Sequence, residues 1–69
     1  MDENELANRF SYHAPKGNQS TRYEEIREMG RNFAELILSE CPASREQSIA
    51  ITKIEEAVFW ANASIARRE

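Results

Sequence analysis

The stretch CPASREQ, residues 41–47, decides the fold, because it ends one long helical segment and starts another. The residue before Pro42 is disfavoured in the α region, so a helix should end there. Ser44 is a favoured N-cap residue, and Gln47 lies at the third helical position, as in a capping box. The stretch therefore predicts two helices that are joined by a short turn.

Apolar residues recur at helical spacing on both sides of this turn, which predicts amphipathic helices at about 19–40 and about 44–67. The first stripe consists of Tyr23, Ile26, Gly30, Phe33 and Ile37. The second stripe consists of Ile51, Ile54, Val58, Ala61 and Ile65. Because the connection is short, the helices should pack antiparallel as a hairpin. Residues 1–18 should form a short N-terminal helix or arm and a loop, so the chain 1–69 is predicted to be one all-α domain.

The small size of the chain favours self-association into a homo-oligomer. At 69 residues a single core is marginal, and domains of this size rely on disulfides, metals or oligomerisation. One cysteine excludes an internal disulfide, and one cysteine with one histidine gives no metal-ligand spacing. Phe59 and Trp60 fall outside the apolar stripe, as expected for an oligomer interface, unless the N-terminal segment folds back over them. Cys41 is expected to form the buried end of the first stripe.

The charge of the chain argues against long nucleic acids but permits a small anionic ligand. The net charge is −3, and a field of this sign repels DNA and RNA. Seven of the nine cationic residues are arginines, whose planar donor groups suit phosphate or carboxylate. We expect a cytoplasmic location and no membrane association, since there is neither a signal sequence nor an apolar run of ~18 residues.

The chain lacks the residue patterns that are typical of an enzyme. His13 is the only imidazole and Cys41 the only thiol, and neither a glycine-rich phosphate loop nor a metal triad occurs. The sequence therefore predicts no catalysis, no cofactor and no metal.

A loop near the N-terminus has the residue types of a nucleotide-binding site. Tyr12 and His13 offer flat surfaces on which a base can stack, and Lys16 can complement phosphate. Further cations that can join this site are Arg9, Arg22, Arg27 and Arg67. For Tyr12 the alternative is hydrophobic anchoring of the arm. For the arginines of the first long helix, the alternative is that they form exposed i,i+4 ion pairs with glutamates.

The order of residues in three segments resembles that of a known family. The segments are RFSYHAP at 9–15, QSTRYEEIR at 19–27 and CPASREQSIAITKIEEAVFWANASIAR at 41–67. Nearly the whole chain resembles the helical-hairpin family of phage anti-CBASS sponges, and a related hairpin occurs in a Thoeris-inhibiting sponge. The resemblance implies a homohexamer that binds cyclic dinucleotides without cleaving them and so blocks immunity in the cytoplasm of an infected bacterium. Some members also bind cyclic trinucleotides at separate sites.

The resemblance also implies roles for individual residues. Tyr12 matches the base-stacking aromatic residue of the family, and Arg27 lies where a basic residue contacts phosphate. The same pocket, formed between the N-terminal regions of paired protomers, is expected to include His13, Lys16 and Arg67. The candidates for a second ligand site are Arg9 and Asn62.

Three other functions fit parts of the pattern. A protein-binding adaptor would use Phe59 and Trp60 to engage a foreign partner. A hydrolase would cleave the same messengers, and a related sponge would bind cyclic ADP-ribose signals. Oligomeric mass and recovery of the intact ligand distinguish a cyclic-oligonucleotide sponge from the adaptor and the hydrolase.

Overall fold

Three α-helices make up the chain in the computed structural model, which describes residues 1–69. The helices are α1 (Glu3–Arg9), α2 (Gln19–Glu40) and α3 (Arg45–Arg68), and there is no strand. The predicted all-helical class, with a short N-terminal helix before two long helices, is confirmed. The molecule measures 45 × 29 × 13 Å, because α2 and α3 pack side by side in a single layer. None of the three helices is long and apolar enough to cross a membrane.

The turn between α2 and α3 is fixed by hydrogen bonds of the residues that predicted it. The hydroxyl of Ser44 accepts a hydrogen bond from the backbone N–H of Gln47 at 3.1 Å, as an N-cap does. The side chain of Gln47 donates to the carbonyl of Cys41 at 2.9 Å instead of closing a capping box. The start of α3 is therefore tied directly to the end of α2.

The expectation that Cys41 forms the buried end of the α2 stripe is wrong, because this residue is exposed. Cys41 is the C-cap of α2 and has extended backbone angles, φ −114° and ψ 143°, so the chain leaves the helix there. Its side chain therefore no longer follows the helical periodicity that places Ile37 on the stripe.

Gly30 lies where α2 and α3 approach closely. A Cβ atom at this position would lie 2.5 Å from Cγ2 of Val58 and 3.8 Å from Cγ2 of Ile54. A glycine inside a helix costs about 1 kcal/mol relative to alanine, and here it lets the α2 backbone pack against Val58. The glycine within the α2 stripe is therefore a packing residue.

The two-helix layer buries little of its apolar surface. Ile65 is the only buried apolar residue, at 9% exposure, and the other stripe residues are half-buried or exposed. Phe33 lies on the predicted stripe but is 54% exposed. An apolar groove of about 640 Å³, lined in part by Gly30 and Phe33, stays open between α2 and α3. It is open because a single layer of helices has no second layer to cover it.

Phe59 and Trp60 are exposed, as their positions outside the α3 stripe predicted. They are 62% and 67% exposed, respectively. The N-terminal segment does not cover them, so the alternative in which it folds back over both residues is wrong. The chain therefore presents a pair of large, exposed apolar side chains on α3.

Candidate functional site

The N-terminal arm, residues 1–18, is attached to the C-terminal end of α3 by polar contacts. The side chain of Asn8 donates to the carbonyl of Arg67 at 3.1 Å. The guanidinium of Arg68 donates two hydrogen bonds to the carboxylate of Glu5, at 2.7 and 2.9 Å. Arg9 donates to the same carboxylate at 3.1 Å. Glu5 thus joins α1 to α3.

Acid should loosen this attachment, because protonation of Glu5 removes its ion pairs. Hydrogen bonds from Arg68 and then Arg9 lower the pKa of Glu5 from 4.5 to about 2. Because the pKa of Glu5 is lower in the folded state, its ionised carboxylate stabilises the fold fully above about pH 4.5. This stabilisation is lost as the pH falls through about 2. We expect the melting temperature of the Glu5→Gln variant to fall less steeply than that of the wild type over this range. Thermal melts followed by circular dichroism test this, and parallel curves would contradict it.

A second polar cluster, around Glu69, holds the end of the arm and the start of α2 against the C-terminal end of α3. Its carboxylate accepts two hydrogen bonds from Arg22, at 2.7 and 2.9 Å, and one from the buried side chain of Gln19 at 3.1 Å. These hydrogen bonds lower the pKa of the Glu69 carboxyl. The ammonium of Lys16 donates to the carbonyl of the same residue at 3.2 Å. Lys16 is therefore engaged at this cluster.

A hollow of about 360 Å³ lies between the arm, α2 and α3, and we call it the cationic hollow. The arm contributes Arg9, Ser11, Tyr12 and His13, α2 contributes Tyr23 and Arg27, and α3 contributes Asn62, Ala63, Ala66 and Arg67. The lining residues of each long helix are spaced four apart or adjacent, which places them on one face of that helix.

Six of the seven ligand-binding residues predicted from the sequence line the cationic hollow. They are Arg9, Tyr12, His13, Arg27, Asn62 and Arg67. Lys16 does not line it, since its ammonium contacts Glu69. Arg9 and Asn62, which were expected at a second site, lie in the same hollow as Tyr12. The roles of all seven residues in ligand binding remain predictions.

Tyr23 lines the hollow although the sequence analysis did not assign it to a ligand site. Its place in the apolar stripe of α2 predicted packing against α3, and it is half-buried. The available signal was its spacing, since Tyr23 lies four residues before Arg27 and therefore on the same helical face.

The cationic hollow is lined by three arginines and no carboxylate. Arg9 is ion-paired, whereas Arg27 and Arg67 form no ion pair within the chain. The i,i+4 pairing that was the alternative for the α2 arginines occurs at Arg31, whose Nε lies 3.2 Å from the Glu35 carboxylate. In a chain of net charge −3, this local excess of free cations favours an anionic ligand.

Tyr12 and His13 supply flat side chains to the hollow. Tyr12 is 87% exposed, so its ring does not anchor the arm and is accessible for stacking. His13 is half-buried, and its Nε2 lies 2.8 Å from the carbonyl oxygen of Asn8. Because a carbonyl only accepts, Nε2 carries the proton, and in the neutral ring Nδ1 is an acceptor. The imidazole is thus oriented by α1.

Arg9 and Arg67 also line a neighbouring hollow of about 370 Å³. Its other lining residues are Trp60, Ala63, Ser64 and Arg68. This hollow has no carboxylate among its lining residues either, and it brings an exposed indole next to cations. No group of three metal-ligating side chains occurs in the structure.

The chain matches the family model described as Acb2/Tad1, hairpin domain, over residues 1–66. The chain belongs to this family. Comparisons with curated proteins and with solved structures gave no match. The range that matches the Acb2/Tad1 hairpin model includes α1, α2 and every residue of the cationic hollow except Arg67, which follows it directly.

Membership of the Acb2/Tad1 hairpin family gives the class of function. The family is a non-catalytic sponge domain that counters host defence by sequestering signalling molecules. Membership implies that these molecules are cyclic oligonucleotides, which are anions because of their phosphates. The free arginines of the cationic hollow suit ligands of this charge.

Proposed function

We propose that the protein sequesters cyclic dinucleotides, such as cyclic GMP-AMP, in the cationic hollow and so blocks CBASS immunity in the cytoplasm of an infected bacterium. One observation carries the proposal: the hollow combines an exposed tyrosine ring with two arginines that have no carboxylate partner in the chain. A cyclic dinucleotide presents the matching groups, which are two phosphates and two bases that can stack.

Each group of the ligand has a proposed partner in the hollow. Arg27 and Arg67 bind phosphate oxygens, and such charged hydrogen bonds contribute about 1.5–3 kcal/mol each. Tyr12 stacks on a base, which contributes about 1–3 kcal/mol. His13 forms part of the wall beside Tyr12, while Lys16 reaches the ligand only if it leaves Glu69. The net negative charge disfavours long nucleic acids that would compete for the same residues.

We also propose that a second copy of the chain completes the hollow within a homo-oligomer, a hexamer as the family resemblance implies. Three observations support it: the groove between α2 and α3 is open, Phe59 and Trp60 are uncovered, and Tyr12 is almost fully exposed. Burying a large apolar side chain contributes about 1.5–3 kcal/mol, which is substantial for so small a domain. A cyclic trinucleotide, as an additional ligand, would occupy the neighbouring hollow at Trp60.

Tyr12→Ala should weaken the binding of 3′,3′-cyclic GMP-AMP by about 5- to 100-fold, since a stacking face is lost. Phe10→Ala is the matched control, because Phe10 is an equally exposed aromatic residue of the arm, 84% exposed, that does not line the hollow. Titration calorimetry measures both variants. Unchanged binding by Tyr12→Ala, or equal losses in the two variants, would show that the hollow is not the ligand site.

Sequestration predicts that the bound messenger is released unchanged. After incubation of 3′,3′-cyclic GMP-AMP with the protein, the complex is denatured and the nucleotide is analysed by chromatography. Recovery of the cyclic form supports a sponge, and linear product would identify a hydrolase instead. If the protein binds a cyclic ADP-ribose isomer more tightly than every cyclic dinucleotide, its ligand is a cyclic ADP-ribose signal instead.

Trp60→Ala should lower the oligomeric mass of the purified protein, because Trp60 is a large apolar side chain that its own chain leaves 67% exposed. Size-exclusion chromatography with light scattering gives this mass. The wild type is expected as an oligomer without ligand. A wild-type monomer would favour the adaptor function, and an unchanged mass in Trp60→Ala would refute its interface role.

A further inference from the structure

Asn62 carries the one buried side-chain polar atom of the structure that has no hydrogen-bond partner. Its Oδ1 is buried, and no donor of the chain reaches it. Buried polar side-chain atoms are in large majority hydrogen-bonded, because leaving one unpaired lowers stability. An unpaired acceptor in a residue that lines the cationic hollow therefore requires an explanation.

The position of Asn62 on α3 makes a structural role a poor explanation. The residue lies four positions after Val58 and three before Ile65, on the face that carries the apolar stripe of α3. Asparagine is a weaker helix former than leucine or alanine, and either would occupy this face without an unpaired polar atom. The chain instead places an amide beside Tyr12 and Arg27 in the hollow.

The other polar residues of the hollow are less able to distinguish one base from another. Arginines that bind phosphate carry no base information, and a stacked ring such as Tyr12 accepts any base. The hydroxyl of Ser11 donates to the carbonyl of Ala7. Nε2 of His13 donates to the carbonyl of Asn8, which leaves the ring a single acceptor, Nδ1, and no free donor. Asn62 is thus the lining residue whose donor and acceptor groups suit base recognition.

We propose that Asn62 is a specificity-determining residue of the cationic hollow, and that its amide hydrogen-bonds the polar edge of an adenine base. This inference rests on the proposed binding of cyclic dinucleotides. An amide presents an acceptor beside a donor, and adenine presents the complement, an amino donor beside a ring-nitrogen acceptor. The 6-amino group then supplies the partner that Oδ1 lacks. The contact requires a rotation about χ2, which is a broad torsion in asparagine.

The test compares 3′,3′-cyclic GMP-AMP with an analogue in which unsubstituted purine, which lacks the 6-amino group, replaces adenine. Calorimetry on the full chain should show that the wild type prefers the amino-bearing ligand by about tenfold, within the range that a bidentate base contact provides. Asn62→Ala should bind the two ligands equally. The matched control Asn32→Ala, the same change at an exposed residue of α2 outside the hollow, should keep the preference.

Asn62→Leu separates base recognition from folding. Because it removes the unpaired amide and keeps the same branched arrangement of side-chain heavy atoms, its melting temperature should equal or exceed that of the wild type, while the preference for the amino group is lost. A preference that survives in Asn62→Ala, or that is absent from the wild type, overturns the inference and leaves the proposed function standing. An altered oligomeric mass in Asn62→Ala overturns it in favour of a subunit contact. A wild-type chain that binds neither ligand overturns the proposed function as well.

Discussion

Arg27→Ala should weaken the binding of 3′,3′-cyclic GMP-AMP by about 10- to 100-fold and leave the helix content unchanged. The guanidinium of Arg27 lines the cationic hollow and has no carboxylate partner within the chain. Charged hydrogen bonds contribute about 1.5–3 kcal/mol, and about 1.4 kcal/mol corresponds to a tenfold change in affinity. Because Arg27 makes no ion pair with another residue, its removal should affect the ligand more than the fold.

Arg31→Ala is the matched control for this substitution. Arg31 lies one turn farther along α2, is paired with Glu35 and does not line the cationic hollow. We expect its affinity to be close to that of the wild type. Arg27→Lys should recover only part of the lost affinity, because an ammonium lacks the planar donor fork. If Arg27→Ala and Arg31→Ala weaken binding equally in calorimetry, the overall charge and not the hollow determines affinity.

Gly30→Ala should lower the free energy of unfolding by up to about 2 kcal/mol, although alanine is the better helix former. The added Cβ would lie 2.5 Å from Cγ2 of Val58, so the helices or the valine must move. Overpacking of this kind costs about 1–3 kcal/mol, and the higher helix propensity offsets about 1 kcal/mol of that cost. In a domain of this size, each kcal/mol corresponds to roughly 4–8 °C in Tm. Thermal and urea denaturation both measure the change.

A double-mutant cycle with Val58 tests the cause of this destabilisation. The new Cβ would lie 3.9 Å from Cβ of Val58, an ordinary contact, so the close approach involves only the Cγ2 methyl group. Val58→Ala alone should destabilise the protein by loss of packing. In the double variant, Gly30→Ala should cost less than it does in the wild type, or stabilise. Additive effects of the two substitutions would mean that the methyl contact is not the cause.

The helices were predictable from the sequence because their signals are local. The apolar periodicity of each long segment and the Ser44 cap depend on residues within a few positions of each other. How deeply each stripe is buried was not predictable, since that depends on what covers it. Phe33 has the spacing of a core residue, yet α3 alone leaves half of it exposed. The prediction that Cys41 is buried was wrong for a related reason, because the stripe ends where the backbone leaves the helix.

The sequence predicted which types of residue bind the ligand, but not which of them lie together in the cationic hollow. Its members come from the arm, α2 and α3, and no sequence spacing brings Arg9 next to Asn62. The free state of Arg27 was not predictable from spacing, because Glu24 lies three positions before it and could have paired with it. The engagement of Lys16 by Glu69 joins residues 53 positions apart and has no local signal.

The arm closes onto α3 through contacts between the two ends of the chain, and this bears on when the cationic hollow forms during synthesis. Glu5 and Arg68, which join α1 to α3, are 63 positions apart, whereas the two long helices are neighbours in sequence. Contacts between neighbouring segments form fastest, and a polypeptide leaves the ribosome from its N-terminus. Tyr12 therefore leaves the ribosome before Arg67 does. A nascent chain carries Tyr12 without Arg67, so the cationic hollow cannot form until α3 has emerged.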